Sequence, residues 1–119
     1  MSNLSELLPT GGGQNAVDFV ASGTLSSGQT VALNSDGTVS AVSSGASNVL
    51  DFIGITSSAI ADTATGAVNV YGSINNKQSG LTIGSDYYVQ DDGSLSTTVS
   101  SVKVGKAISA TTINMMDLT

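Results

Sequence analysis

Asp91 and Asp92 stand side by side, Lys103 and Lys106 lie three residues apart, and Tyr71, Tyr87 and Tyr88 carry the phenols. Paired carboxylates can share a proton or hold a cation. In "VQDDGSLS", however, they fall at a turn, where neighbouring side chains point apart into water and cannot couple. A serine nucleophile would need a lysine base, and Lys77, Lys103 and Lys106 sit in no pattern that supplies one. With no histidine and no cysteine, the usual ligands of zinc, copper and haem are missing, as are histidine-based triads. No enzyme, cofactor or metal is expected.

Calcium is the more reasonable ion to consider, with hard oxygen ligands on Asn34, Asp36, Asp91 and Asp92. The alternating oxygens and closing bidentate Glu of an EF-hand loop are absent, so ordinary turn chemistry is the expectation at both places. Gly11-Gly12-Gly13 lacks the Lys-Ser/Thr that completes a phosphate loop. The three tyrosines could line a carbohydrate-binding face. Successive strand residues point to opposite faces, so one of Tyr87 and Tyr88 is expected to pack inward while the other covers the sheet.

Nine acids against three lysines and no arginine give a net charge of −6. No nucleic-acid partner and no anionic membrane surface are expected, because three lysines cannot form a basic footprint. Lys103 and Lys106, if neighbours, make a solvated face. The first residues, "MSNLSELLPTGGG", have neither a basic leader nor a long apolar run, so neither a secretory signal nor a membrane span is expected. Synthesis in the cytoplasm is the corresponding expectation.

The elements that would carry these side chains are short and β-like. An apolar fraction of 39% with no Trp and two Phe calls for a core of Val, Ile, Leu and Ala. Alternating apolar residues predict strands around Val17–Ala21, Val31–Leu33, Val39–Ala41, Leu50–Ile55, Val68–Gly72, Tyr87–Val89 with Leu95, Val102–Lys106 and Ile113–Asp117. "AIADTAT", residues 59–65, could be helical but its threonines favour a loop. The fold expected is all-β, a compact sandwich or barrel of about eight short strands over residues 14–119. Ahead of it, residues 1–13 are expected to form a flexible arm. Leu4, Leu7 and Leu8 at helical spacing, stopped by Pro9 and hinged at Gly11–Gly13, form a candidate contact for another subunit or a shell.

One unit appears twice. "GQTVALNSDGTVS" (28–40) and "GSDYYVQDDGSLS" (84–96) align Val31 with Tyr87, Leu33 with Val89, Asp36-Gly37 with Asp92-Gly93, and Val39-Ser40 with Leu95-Ser96. Asp-Gly between alternating apolar residues is a hairpin signal, since glycine accepts the left-handed backbone such turns demand. Each copy is followed by a strand holding a glycine, Gly54 in "FIGIT" and Gly105 in "KVGKA". The related units are expected at 26–56 and 82–110, each a hairpin with a return strand.

These stretches, with "SNLSELLPTGGGQNAVDFVASG" before them and "GLTIGSDYYVQDDGSLSTTVSSVKVGKAISATTI" at the second copy, resemble a group of tailed-bacteriophage virion proteins. The pattern is similar to that of small capsid decoration (cement) proteins and of tail-fibre modules, and the likeness covers most of the chain. What it implies is a structural role on the capsid outer surface of a virion. It further implies the major capsid protein as partner and self-association, commonly as a homotrimer. It carries no catalytic residues over. A 119-residue chain without a long shaft or receptor tip fits decoration better than a fibre. The alternatives are a tail-fibre or baseplate component and a carbohydrate-binding adhesin module.

Overall fold

The computed structural model describes residues 16–115 and is all-β, ten strands in two five-stranded antiparallel sheets packed as a β-sandwich. The first sheet holds β1 (Ala16–Val20), β2 (Thr30–Leu33), β3 (Val39–Ala41), β4 (Phe52–Thr56) and β5 (Thr65–Val70) in the order β1-β5-β4-β2-β3. The second holds β6 (Ser73–Asn75), β7 (Asp86–Val89), β8 (Leu95–Ser96), β9 (Lys103–Ala107) and β10 (Ile113–Met115) in the order β6-β10-β9-β7-β8. Every strand of the second sheet takes the place of the strand five earlier in the first. The duplication therefore reaches beyond the hairpin and return strand to the whole sheet.

The register repeats as well. Val31 pairs with Gly54 and Ala32 with Phe52, so Ile53 bulges; Tyr87 pairs with Gly105 and Tyr88 with Lys103, so Val104 bulges. An extra residue in one strand brings side chains three apart onto one face. In the first sheet these are Phe52 and Ile55; in the second, Lys103 and Lys106. Both hairpin tips are built alike. The Asp36 Oδ1 accepts from Thr38 N and Oγ1 at 3.1 and 2.7 Å, and the Asp92 Oδ1 accepts from Ser94 N and Oγ at 3.0 and 2.7 Å. Gly37 and Gly93 then turn with φ of 90° and 89°, a region that Cβ-bearing residues avoid.

The sheets stack front to back. Ala32, Phe52 and Ile55 on one face of the first sheet share a core with Tyr87, Val89, Val104, Ala107, Ile113 and Met115. By register, Tyr87 is the counterpart of Val31, and Ile113 that of Val68. Yet Val31 and Val68 lie on the opposite face of their sheet, in a second core with Ala21, Leu25, Val39 and Ile60. The equivalent face is thus covered in two ways. Above the first sheet the loop 57–64 folds over and supplies Ile60, whereas the shorter loop 108–112 leaves the second sheet open to its neighbour. Ala21 also bridges to Val39, so the first sheet curls and ties its two edges together around that core.

Several expectations change in detail. Among the described residues the strands number ten, where about eight are expected. Leu50 and Asp51 lie in a 3-10 turn, Val49–Asp51, so β4 starts at Phe52. Gly72 follows β5 in a turn at φ 94°. Residues 59–64 form a loop, with Ile60 bridging to Leu25, before β5 opens at Thr65. β6 had no signal, because "SIN" puts polar Ser73 and Asn75 on the buried face. The arm with Leu4, Leu7, Leu8 and Pro9 lies outside the described residues, as does Asp117.

Candidate assembly surfaces

The bulge in β9 decides the chemistry of the outer face of the second sheet. Asp86 and Tyr88, two apart on β7, point away from the core, and their partners Lys106 and Lys103 point with them. The Asp86 carboxylate consequently sits between two ammonium groups, with Lys103 Nζ 3.5 Å from Oδ2 and Lys106 Nζ 3.2 Å from Oδ1. Lys106 also donates to the Gly84 carbonyl at 3.3 Å. Oδ1 is shielded from water and lacks an aligned hydrogen bond, so the ammonium faces it as an ion pair. The Lys106 contact, aided by the charge of Lys103, holds the Asp86 pKa below its ordinary value against a smaller opposing desolvation. Lys106 is exposed and Lys103 half-buried with its ammonium at the surface, which makes this a surface network and a weak contributor to stability.

Tyr87 and Tyr88 separate as the alternation requires. Tyr87 is buried and its hydroxyl accepts from Thr82 N at 2.7 Å; Tyr88 is half-buried on the outer face. Tyr71 meets Phe52 edge-on with ring centroids 6.0 Å apart and donates its hydroxyl to the Lys103 carbonyl. The three rings therefore do not form one platform.

The carboxylates considered for calcium divide between the two tips. Asn34 donates its amide to Thr38 and Ser40, and Asp36 and Asp92 each accept from the residue two ahead. Among the described residues no three acidic groups converge on one point. The hydrogen bonds from Thr38 hold the Asp36 pKa below its ordinary value, and those from Ser94 do the same for Asp92. A carboxylate with a lowered folded pKa adds stability above its unfolded pKa, and that stability is lost as pH falls through the folded value. Asp36, Asp86 and Asp92 all have this sign. The melting temperature is expected to be flat from pH 7 to about 5 and to fall below about pH 4. The Asp36→Ala/Asp92→Ala variant should show a shallower acid slope in calorimetry across pH 2–5. An unchanged slope would remove these tips from the acid response.

The two tips differ in their surroundings. The second leans on the first sheet, where Thr30 Oγ1 donates to the Gly93 carbonyl at 2.6 Å and a Cβ on Gly93 would overlap the Val42 carbonyl. The first tip has open space around Gly37. Beside it lies an open groove of about 420 Å³ lined by Leu33, Asn34, Ser35, Asp51, Phe52 and Ile53. At the second tip a wider groove of about 620 Å³ is lined by Ser44, Gln90, Asp91, Asp92 and four further serines. It shares Ser44 and Asp91 with a pocket walled by Val49 and Leu50.

The chain matches no protein-family model, no curated protein and no solved structure.

Alternation alone puts Lys103 and Lys106, three residues apart, on opposite sides of a strand, and only the bulge brings them to one face. Gly105 was the available sign: a glycine inside a strand often marks a bulge. The asymmetry between the tips had no local sign, because their sequences are alike.

Proposed function

We propose that this protein is a virion structural component of tailed bacteriophage that decorates the outer head surface. It binds the major capsid protein and stabilises the shell through protein–protein contacts, assembled as a homotrimer. The sequence likeness to decoration proteins supports this reading. The structural observation that carries it is the distribution of large apolar side chains left in water on a surface otherwise rich in Ser and Thr. Leu50 is 73% exposed and Val99 74%, the first on the pocket at the second tip and the second next to Ser100 of the adjoining groove. Ile83, 69% exposed, stands at the far end of the second sheet. Apolar groups rimmed by hydroxyls suit contacts formed on assembly. A contact of about 800 Å² per partner is enough for specific binding, and trimerisation multiplies a weaker one through effective concentration.

The test is co-sedimentation with purified heads that lack the protein. Saturable binding at hundreds of copies per head is expected, with loss of binding on deletion of residues 1–10, which carry Leu4, Leu7, Leu8 and Pro9. The melting temperature of the truncated protein should stay within about 2 °C of the full chain. Wild-type occupancy by the truncated protein would overturn the role of the arm, and no binding by the full chain would overturn decoration. A handful of copies would instead point to the tail.

A second reading, a saccharide-binding module, is favoured by Tyr88, which shares the outer face with Lys103 and Lys106 beside half-buried Asn114. Selective glycan binding lost on Tyr88→Ala would support it over decoration.

A further inference from the structure

The two halves of this chain differ in charge although they share a fold. Residues 16–72 carry Asp18, Asp36, Asp51 and Asp62 and no lysine or arginine, a net of −4. Residues 73–115 carry Asp86, Asp91 and Asp92 with Lys77, Lys103 and Lys106, a net of zero. Among the described residues the negative charge is thus concentrated in the first half.

Each half presents a mixed surface. On the second sheet, Lys103, Lys106 and the intervening Asp86 have net charge +1 and lie with half-buried Tyr88. Ile108, 49% exposed, continues this face two residues beyond Lys106 on the same strand path. On the first unit the groove beside the free tip joins Asp51 and the base of the Asp36 turn to Leu33, Phe52 and Ile53, with Leu50 next to Asp51. One surface is cationic and apolar, the other anionic and apolar. Within the chain, the face of the first sheet that corresponds to the lysine-bearing face is the one covered by the second sheet. The counterpart surface in the second half is therefore the one left without a cover.

We infer that this protein associates head to tail with itself, the Lys103–Tyr88–Lys106 face of one copy docking on the Leu33–Asp51 groove and free tip of the next. The contact is heterologous, so it closes into a ring or, where the rotation does not close, extends as a filament. The reverse arrangement, lysine face against lysine face, sets like net charges together. The interior stacking cannot supply the contact, because the far face of the first sheet is already filled by Leu25 and Ile60. Five strands at about 4.8 Å spacing make a face only about 24 Å across. A single contact of that size is weak, and closure, which gives each chain two, is what makes it persist. The inference deepens the self-association named above by assigning its surfaces, and it rests on that association.

Sedimentation velocity of the full chain at 5–500 μM, in about 50 mM and about 500 mM salt, is the test. The wild type should oligomerise at low salt, with an apparent Kd at least tenfold weaker at high salt. Lys103→Glu/Lys106→Glu should be monomeric throughout, and Lys103→Gln/Lys106→Gln, which adds no repulsion beside Asp86, should weaken association at least tenfold. Asp51→Lys should weaken it alone and restore it when combined with Lys103→Glu/Lys106→Glu. A wild type that stays monomeric, or a Gln variant that melts like the wild type and associates as tightly, overturns the inference. Head binding measured on the same samples separates the two readings. Oligomers that fail to bind heads count against decoration alone, and monomers that bind heads count against these surfaces alone.

Discussion

Gly105→Ala is expected to lower the melting temperature by about 10–15 °C. A methyl group on this residue would overlap the carbonyl oxygen of Asn114 and crowd the Met115 Cα, both backbone atoms of the neighbouring strand. A flexible side chain could swing aside from such a contact, but a strand held on both sides cannot. Overpacking of this kind costs about 3 kcal/mol at the upper end of the usual range. In a domain of this size that cost translates into the quoted shift. Gly54→Ala should behave alike, since its Cβ would meet the carbonyl of Asn69, the counterpart of Asn114. Gly45→Ala is the control: open space surrounds it and its φ is not left-handed, so the change should be neutral or slightly stabilising. Thermal unfolding by circular dichroism measures all three. A Gly105→Ala protein that melts within 3 °C of the wild type would mean that the strands part more easily than the bulge geometry implies.

Asn75→Ala should be nearly as damaging, by about 3 kcal/mol. Asn75 is completely buried at the junction of the two sheets. Its amide donates to the Thr56 carbonyl at 3.0 Å and to Asn69 Oδ1 at 2.9 Å, both in the first sheet. Its oxygen accepts from Lys77 N at 3.1 Å and Gln78 Nε2 at 3.0 Å. Truncation strands these groups away from water, at about 1–3 kcal/mol for each one that finds no substitute. Gln78 also donates to the Gly28 carbonyl, so the damage spreads to the packing of the two inter-strand loops. The double variant Asn75→Ala/Asn69→Ala separates network from packing. If the residues act as a unit, the pair should cost clearly less than the sum of the singles. Additive losses in urea denaturation would show that each asparagine acts alone.

Gly105 and Asn75 differ in how far the sequence reveals them. Gly105 was visible as a glycine inside an apolar strand, repeated at Gly54, and its meaning follows from elementary backbone geometry. Asn75 was not visible. A buried asparagine looks like a surface one until its four partners are known, and those come from β4, β5 and the loop after β6. The strand β6 lacks a sequence signal for the same reason, since burial there rests on hydrogen bonds and leaves no apolar pattern.

The amino-acid sequence by itself determined the all-β class, most strands, both hairpin tips and the existence of a repeated unit, because these depend on alternation and on residues that accept a left-handed turn. Such signals act within a dozen residues and need no distant partner. Only the tertiary structure decided how the two units meet. The hairpins of the two copies are closely alike; their return strands differ, with Phe52 and Ile55 where the second copy has Lys103 and Lys106. The far face of the first sheet is closed by Leu25 and by Ile60, which the loop 57–64, longer than its counterpart 108–112, carries onto it. The bulges place Phe52 with Ile55 in the shared core and Lys103 with Lys106 on the open face, so equivalent faces of the two sheets end up one covered and one in water.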